Sequence, residues 1–426
     1  MLLKNARVIN PKTNLDKKLD IRIEDKIITQ LDANIEPQEG EEVFDFLDKI
    51  ITPGLVDIHC HLREPGFTNK ETIKTGIESA IAGGYSAICP MANTKPAVDN
   101  LNTLKFVLDK AKEAKQIGFF PICALTKGLE GKTIVNASSL KENGTIAFSD
   151  DGKPIEDMKL LDCAIKYIDS IGSIIISHSE DSALAKDGVI NESFISSKLG
   201  LKGISTLAES VAIARELEVV KKNNARYHFA HVSTKSSVEL IRQAKKEGLK
   251  VTCETAPHYF SLTQEDIIPF EARFKMNPPL RGKEDLEAII EGLKDGTIDA
   301  IATDHAPHTI EEKTSPIQSA PMGIVGFETA LGLTLTNLVH SQKLSLIEAI
   351  KALTYNPSTI LNLPNQGNIE VGKIANLTII DIDKEWIVEA SKFKSKCKIS
   401  PFEGMTLKGK AIASVINGKL NILNEI

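Results

Sequence analysis

Hydrophobic and polar positions along the 426-residue chain follow two different patterns. Residues 2–10 (LLKNARVIN), 19–31 (LDIRIEDKIITQL) and 41–54 (EEVFDFLDKIITPG) are short β-type runs separated by polar turns. Residues 367–383 (GNIEVGKIANLTIIDID) and 404–420 (GMTLKGKAIASVINGKL) repeat that character at the other end. Unpaired strand edges at both ends would be an aggregation liability. The pattern therefore predicts that residues 1–52 and 365–426 combine into one small β domain.

The middle of the chain alternates. Apolar, β-rich runs occur at 55–59, 85–90, 118–125, 145–149, 173–178, 226–231, 250–255 and 299–303. Between them, segments such as 102–115, 205–222 and 235–248 carry apolar residues at helical spacing. Eight strand candidates separated by helices predict an α/β fold, a (β/α)8 TIM barrel over residues 53–364. The spacing from the fourth strand to the sixth is irregular. An open doubly wound sheet is the alternative, but no G-x-G-x-x-G turn follows the first strand.

Composition narrows the partners. Apolar residues make up 42% and charged residues 25%, with a formal charge of −6, which suits a globular enzyme. No Lys/Arg block marks a nucleic-acid footprint, and no run approaches the roughly 20 apolar residues needed to cross a bilayer. The N-terminal MLLKNARVIN lacks the apolar stretch of a signal peptide, so a cytoplasmic location is expected. Cys60, Cys89, Cys123, Cys163, Cys253 and Cys397 include no C-x-x-C pair and are expected to be reduced and buried.

The candidate chemistry collects at strand ends. His59 and His61 close the first strand, Asn93 follows the second, and Asp150 and Asp151 follow the fourth. His178 ends the fifth, His231 ends the sixth and Asp304 follows the eighth. In a barrel these ends share one face, where such folds place their active sites. At i, i+2 on a strand, His59 and His61 point the same way. Alone, H-x-H fits a hydrogen-bonded pair as well as a metal pair. His178 and His231 each fit a satisfied core histidine, and His228 reads as structural. Asp304 emerges from a buried strand, where an unpaired carboxylate is expensive. In SDDGKP, Asp151 also fits ordinary turn chemistry. Taken together, four histidines and two carboxylates exceed one closed zinc site and suit two metals sharing a carboxylate and a water. Asp304 could move the proton between the attacking water and a leaving nitrogen. The chemistry implied is hydrolysis of a C–N bond beside a carbonyl, or its reverse.

The strings PGLVDIHCHLREPG, MANTKP, FSDDGKP, SHSED, HFAHVS, CETAPHYF, FKMNPPLR, ATDHAPH and APMGIVGFE together resemble the class I bacterial dihydroorotases of the amidohydrolase superfamily. The match runs from about Ile50 to about Pro364, and β-rich termini fit the composite second domain of that family. The resemblance implies reversible closure of N-carbamoyl-L-aspartate to dihydroorotate, the third step of pyrimidine synthesis. It implies two zinc ions per subunit. His59, His61 and Asp304 would hold one, His178 and His231 the other, with Asp151 bridging and Asp304 as general acid/base. Arg63 and Asn93 would grip the substrate carboxylate, as a guanidinium does with two parallel hydrogen bonds. His61, Asn277 and His308 would be further substrate contacts, and Met322 and Gly323 would offer a backbone edge to the ring. His258 is expected to support a ligand from behind. A homodimer is the expected assembly, and association with aspartate transcarbamoylase is a partner the family suggests.

Residues 309–321, TIEEKTSPIQSAP, join His308 to Met322 and are expected to close over substrate; a plain surface loop is the alternative. Dihydropyrimidinase or hydantoinase and allantoinase are the nearest rivals. Those relatives usually bridge their metals with a carboxylated lysine, whereas FSDDG has none and Lys153 lies beyond the glycine. A non-catalytic scaffold for the transcarbamoylase would lose ligands, and here every expected position is filled.

Overall fold

The computed structural model describes residues 1–114, 117–268 and 270–423. Both ends of the chain meet in one eight-stranded sheet. Its order is Lys419–Ile422, Thr406–Ile416, Leu377–Ile387, Ile50–Pro53, Leu2–Asn10, Leu15–Glu24 and Ile27–Asp32, with Val43–Asp45 also pairing Leu2–Asn10. The two ends join antiparallel, Leu377 opposite Pro53 and Ile380 opposite Ile50. Leu3, Val8, Ile21, Ile51, Ile379, Ala413 and Val415 bury its core, a set rich in the β-branched residues that pack well on a pleated surface. The pairing of the termini expected from their pattern is what the chain adopts.

The α/β middle closes as expected. Leu55–Cys60, Tyr85–Pro90 and Gly118–Phe119 form one parallel arc, and Ile175–Ser177, Tyr227–Phe229, Val251–Thr255 and Ala300–Ile301 form another. Parallel bridges join the arcs, Cys123 beside Phe148, Phe148 beside Ile175, and Cys60 beside His305. The fourth predicted strand, 145–149, is reduced to the bridges at Phe148. There the Thr145 hydroxyl accepts the Cys123 N–H at 3.1 Å and donates to the Pro121 carbonyl at 2.9 Å. The hydroxyl shares groups that also bond backbone to backbone, the Cys123 N–H with the Ala147 carbonyl at 3.2 Å and the Pro121 carbonyl with the Ile146 N–H at 3.3 Å.

The predicted helices form as Leu101–Glu113, Leu207–Asn223 and Lys235–Lys246; Lys115, in the first predicted segment, lies outside the described residues. Asn100 and Thr234 cap the first and third by accepting backbone N–H groups. All six cysteines are free thiols, but Cys163 is exposed, which corrects the expectation that every one is buried. On the helix Met158–Ser170 the buried stripe is Leu161, Ala164, Ile165 and Ile168, and Cys163 falls beside it. Among the described residues no helix is long and apolar enough to cross a membrane.

One ion pair in the terminal sheet is well enough placed to be measured. Arg22 grips Glu41 through Nε to Oε1 and Nη2 to Oε2, both at 3.0 Å, and also donates to the Glu36 carbonyl at 2.6 Å. The hydrogen bonds from Arg22 pull the Glu41 pKa from 4.5 to about 2. A depressed carboxylate stabilises the fold above its unfolded value, and that stabilisation is lost as pH falls through the folded one. Arg22→Gln should therefore lower the urea midpoint at pH 7, and the deficit should shrink as pH falls from 4.5 towards about 2. A deficit that does not change with pH would show that the pair contributes packing alone.

Candidate metal centre and active site

The barrel brings the six predicted ligands together. His59, His61, Asp151, His178, His231 and Asp304 are all buried. The Asp151 carboxylate is the common neighbour. Its Oδ1 lies 3.4 Å from His59 Nε2, 3.6 Å from His178 Nδ1 and 3.6 Å from His231 Nε2, while its Oδ2 lies 3.5 Å from His61 Nε2. Asp304 Oδ1 faces the first-strand pair, 3.1 Å from His61 Nε2 and 3.7 Å from His59 Nε2. Two groups thus overlap at Asp151, one with His59 and His61 and one with His178 and His231.

These residues fit a pair of cations. Two ligands each about 2.0–2.1 Å from one tetrahedral ion lie about 3.4 Å apart, close to the separations around Asp151. His59 Nε2 and Asp151 Oδ1 are buried with no hydrogen-bond partner among the described residues, a state that is costly unless an ion completes it. The carboxylates are also kept charged. Burial would raise the pKa of both Asp151 and Asp304, but protons on the surrounding histidines that a bound ion would displace, on His59 for Asp151 and on His61 for Asp304 above all, hold them below the usual range. The His178 Nδ1 and His231 Nε2 pair, 2.8 Å apart, shares a proton that metal binding would release.

Outer partners select the free nitrogen of each first-strand imidazole. His59 Nδ1 lies 2.7 Å from Glu254 Oε1, so Nδ1 carries the proton and Nε2 faces Asp151. His61 Nδ1 lies 2.8 Å from Asn93 Oδ1, with the same consequence. Asn93 Nδ2 also donates to Asp151 Oδ2 at 3.1 Å. Asn93 therefore aligns two predicted ligands, and its Nδ2 also lies 3.5 Å from the Asp151 carbonyl. His228, read as structural, meets the other oxygen of Glu254 at 3.1 Å and so buttresses the partner of His59. Burial raises the Glu254 pKa, but hydrogen bonds from His228 and His59 outweigh it and bring it to about 2.

Asp150 and Asp151 divide the two readings of SDDGKP. Asp150 accepts the N–H groups of Leu125 and Thr126 at 2.8 and 2.9 Å and the Thr126 hydroxyl. The Asp150 side chain thus ties the segment to residues 125–126 while its carbonyl closes the turn by accepting the Lys153 N–H at 2.9 Å, which leaves Asp151 for the site. Asp57 similarly anchors the eighth strand end, taking the Thr303 N–H and hydroxyl at 2.8 and 2.7 Å just before Asp304. Arg63, His231 and Asp304 adopt positive φ angles of 62°, 34° and 47°. Such strain is tolerated where surrounding contacts fix it, commonly at functional sites.

The predicted substrate contacts line the same mouth. Arg63 Nε donates to the Pro307 carbonyl at 3.1 Å, and among the described residues its guanidinium has no carboxylate ion pair. His308 Nε2 lies 2.7 Å from the Met322 carbonyl. Asn277 Nδ2 lies 3.4 Å from His178 Nε2, and its buried Oδ1 has no partner among the described residues. Gly323, at φ 127°, is so close to Ala306 and His308 that a Cβ would come within 2.8 and 3.0 Å of them. His258 is buried with its ring tilted 60° against that of Tyr259, and its Nε2 has no hydrogen-bond partner among the described residues.

The expected closing segment is pinned. It contains a short helix, Ile310–Thr314, started by a reciprocal cap between Thr309 and Glu312. Buried Lys313 donates to the carbonyls of Lys275 and Pro321 at 3.0 and 3.3 Å. Lys275 in turn donates to those of Ile317 and Gln318 at 2.7 and 3.0 Å. Sequence reasoning missed Glu254, Asp57 and these lysines. For the two acids a signal was present, a carboxylate within an apolar strand run.

Comparison with known proteins agrees with this geometry. Residues 48–237 match the family described as dihydro-orotase-like, and residues 202–419 match the amidohydrolase family. A protein of Acetivibrio thermocellus named dihydroorotase is 45% identical over 426 residues, covering 100% of both chains. One of Citrifermentans bemidjiense with the same name is 46% identical over 420 residues, covering 99% of each. Among solved structures, the L-hydantoinase (dihydropyrimidinase) of Arthrobacter aurescens superposes with a TM-score of 0.89 at 27% identity, covering 100% of this chain and 96% of its own. The dihydropyrimidinase of Brevibacillus agri, at 20% identity and a TM-score of 0.83 over 99% and 94% of the two chains, shares the fold.

If Glu254 sets the orientation of His59, Glu254→Gln should weaken divalent-metal affinity by about 10–100-fold. Titrating metal-free protein against a chromophoric chelator measures this directly. An affinity within about twofold of the parent, well short of that range, would place control of His59 elsewhere.

Proposed function

The chain belongs to the dihydroorotase family of amidohydrolases, and from that membership we propose that it interconverts N-carbamoyl-L-aspartate and dihydroorotate. The carrying observation is the overlap of two ligand groups at Asp151, with the guanidinium of Arg63 free of ion pairs at the same mouth.

In this reading His59, His61 and Asp304 hold one zinc ion and His178 and His231 hold the second, with Asp151 between them. Bound there, the ions would lower the pKa of a water towards neutrality and polarise the ring carbonyl. The remaining work falls to the chain. In ring opening, water adds to the carbonyl carbon between the ring nitrogen and the methylene, and the C–N bond breaks. The Asp304 carboxylate takes the water proton and delivers it to the departing nitrogen. In closure the carbamoyl nitrogen attacks the side-chain carboxyl carbon, and one water leaves. Asp304 suits both directions because one carboxylate can take a proton in the first half of the reaction and return it in the second.

The carboxylate untouched by the reaction is the handle. Arg63 can bind it with two parallel hydrogen bonds, with the Asn93 amide as a further contact. Asn277 and His308 contact the ring, and the backbone at Met322 and Gly323 meets its edge. The hydantoinase reading rests on a closely similar fold. Two features favour dihydroorotase: an aspartate at position 151, and a cationic subsite that hydantoins and dihydrouracil would leave unpaired.

Two variants test the assignment. Asp304→Asn should lower kcat for dihydroorotate by about 10²–10⁴-fold; a near-normal rate would place the base elsewhere. Arg63→Ala should raise KM for dihydroorotate by about tenfold or more, the signature of lost substrate binding. Following the loss of absorbance with dihydroorotate, dihydrouracil and allantoin decides the substrate. Turnover of dihydrouracil without turnover of dihydroorotate would overturn the reading.

A further inference from the structure

Arg63 is accompanied by a second cation. The loop after the first barrel strand folds back on itself, with Phe67 N–H bonded to the Arg63 carbonyl and Lys70 N–H to the Phe67 carbonyl, both at 2.9 Å. These turns carry the Lys70 ammonium to His308 Nδ1 at 3.2 Å and Glu312 Oε1 at 2.8 Å, and place it 5.6 Å from the Phe67 ring centre. Its side chain is only 17% exposed.

These contacts determine where the His308 proton sits. An ammonium only donates, so a bond to Nδ1 requires that nitrogen to be bare. The ring proton is then on Nε2, which faces the Met322 carbonyl at 2.7 Å, and a carbonyl only accepts. The Arg63 Nη2 group, also a donor, lies 3.4 Å from the same Nε2 and would favour a bare Nε2, but at that distance it is much the weaker contact. Lys70 on one side of the ring and the Met322 carbonyl on the other therefore select one tautomer. The competing tautomer would turn Nδ1–H towards Glu312 Oε2, 3.4 Å away, and set the Nε2 lone pair against the Met322 oxygen. Oε2 is already bonded to the Thr309 N–H at 3.0 Å, which weakens that alternative.

We propose that Lys70 is a positioning residue of the substrate-carboxylate subsite, holding His308 as the neutral Nε2–H tautomer and, through Glu312, docking the helix Ile310–Thr314 onto the loop that carries Arg63. The proposal rests on the dihydroorotase reading of the site. Burial, together with the charges of Arg63, Lys70 and Lys313, drives the His308 pKa down to about 2, so the ring takes up no second proton near neutrality. Lys70 also adds positive charge beside Arg63, where an anionic substrate would dock. Without it, Nδ1 can take the proton towards Glu312 and Nε2 loses its hydrogen. Substrate binding then suffers twice, through loss of the Nε2–H bond that holds His308 against the Met322 carbonyl and through a weaker field.

The test joins a spectrum to kinetics. In histidine-¹⁵N-labelled protein, the His308 ring, assigned by its loss in His308→Gln, should show a bare Nδ1 and a protonated Nε2. Lys70→Met should shift it towards protonated Nδ1, and Lys70→Arg should retain the parent pattern. The Met variant should raise KM for dihydroorotate about tenfold while kcat stays within about threefold, as expected when binding rather than chemistry is lost. Protonated Nδ1 in the parent protein would overturn the proposal, as would a Met variant with an unchanged spectrum or with kcat reduced in place of a raised KM. The spectrum needs no substrate. Parent protein inactive on dihydroorotate would therefore refute the functional reading, while the tautomer would still decide the role of Lys70. If the Met variant does not fold, the parent spectrum alone decides.

Discussion

A buried carboxylate surrounded by four imidazoles is the constraint on which the rest of the site depends. Asp151 has a histidine nitrogen within 3.6 Å from the first, fifth and sixth strand ends. Asp304, from the eighth, leans on the first-strand pair. Burying an uncompensated charge costs several kcal/mol even after relaxation, so two such carboxylates are tolerable only with positive charge between them. Imidazoles that present lone pairs leave that charge to a cation. The strained φ angles at His231 and Asp304 belong to the same balance, because relaxing either would break the convergence.

The cluster is supported from inside the barrel. One chain of contacts runs from His59 through Glu254 and His228 to Thr252, and so links the first, seventh and sixth strands. Another runs from Asp57 to Thr303 and links the first strand to the eighth. The substrate side is built differently. Arg63, His308 and Met322 sit on loops, and lysines bonded largely to backbone carbonyls hold the segment between the last two. The chemical groups thus rest on strands, while recognition rests on loops that are strapped in place, a division that suits a barrel whose specificity resides in its βα loops.

The convergence was legible because strand ends share one face once eight alternations are recognised, which placed His59, His178, His231 and Asp304 before any coordinates. Asp151 was harder to read, since SDDGKP contains a turn aspartate and a site aspartate side by side. Only the bonds of Asp150 to Leu125 and Thr126 separate them. Lys70 carried no local signal, because its meaning comes from His308 and Glu312, more than two hundred residues away in sequence. The fourth strand is shorter than its apolar run predicts, since it pairs through single bridges at Phe148, a limit that apolar periodicity does not record. The role of Asn93 was half legible: its place at a strand end pointed to the site, but its bonds to His61 and Asp151 follow from packing.

Arg63 connects the metal side to the recognition side. Burial works against its charge, and the carboxylates of Asp304 and Asp151 work for it, yet neither is close enough to pair with it. The guanidinium is held charged by a field, with Nε given to the Pro307 carbonyl and Nη2 3.4 Å from His308 Nε2, and with no carboxylate among the described residues paired to it. A site arranged this way penalises the wrong ligand as much as it favours the right one. Pockets built to bond a polar group reject analogues lacking it by about 10⁴–10⁵-fold, because their own buried groups are left unsatisfied. Dihydrouracil and the hydantoins would meet the same metals and the same base, but would leave Arg63 and its neighbouring lysine facing no anion. On the proposed reading, selectivity for an anionic cyclic amide would then follow from a cation that no carboxylate of the described residues neutralises.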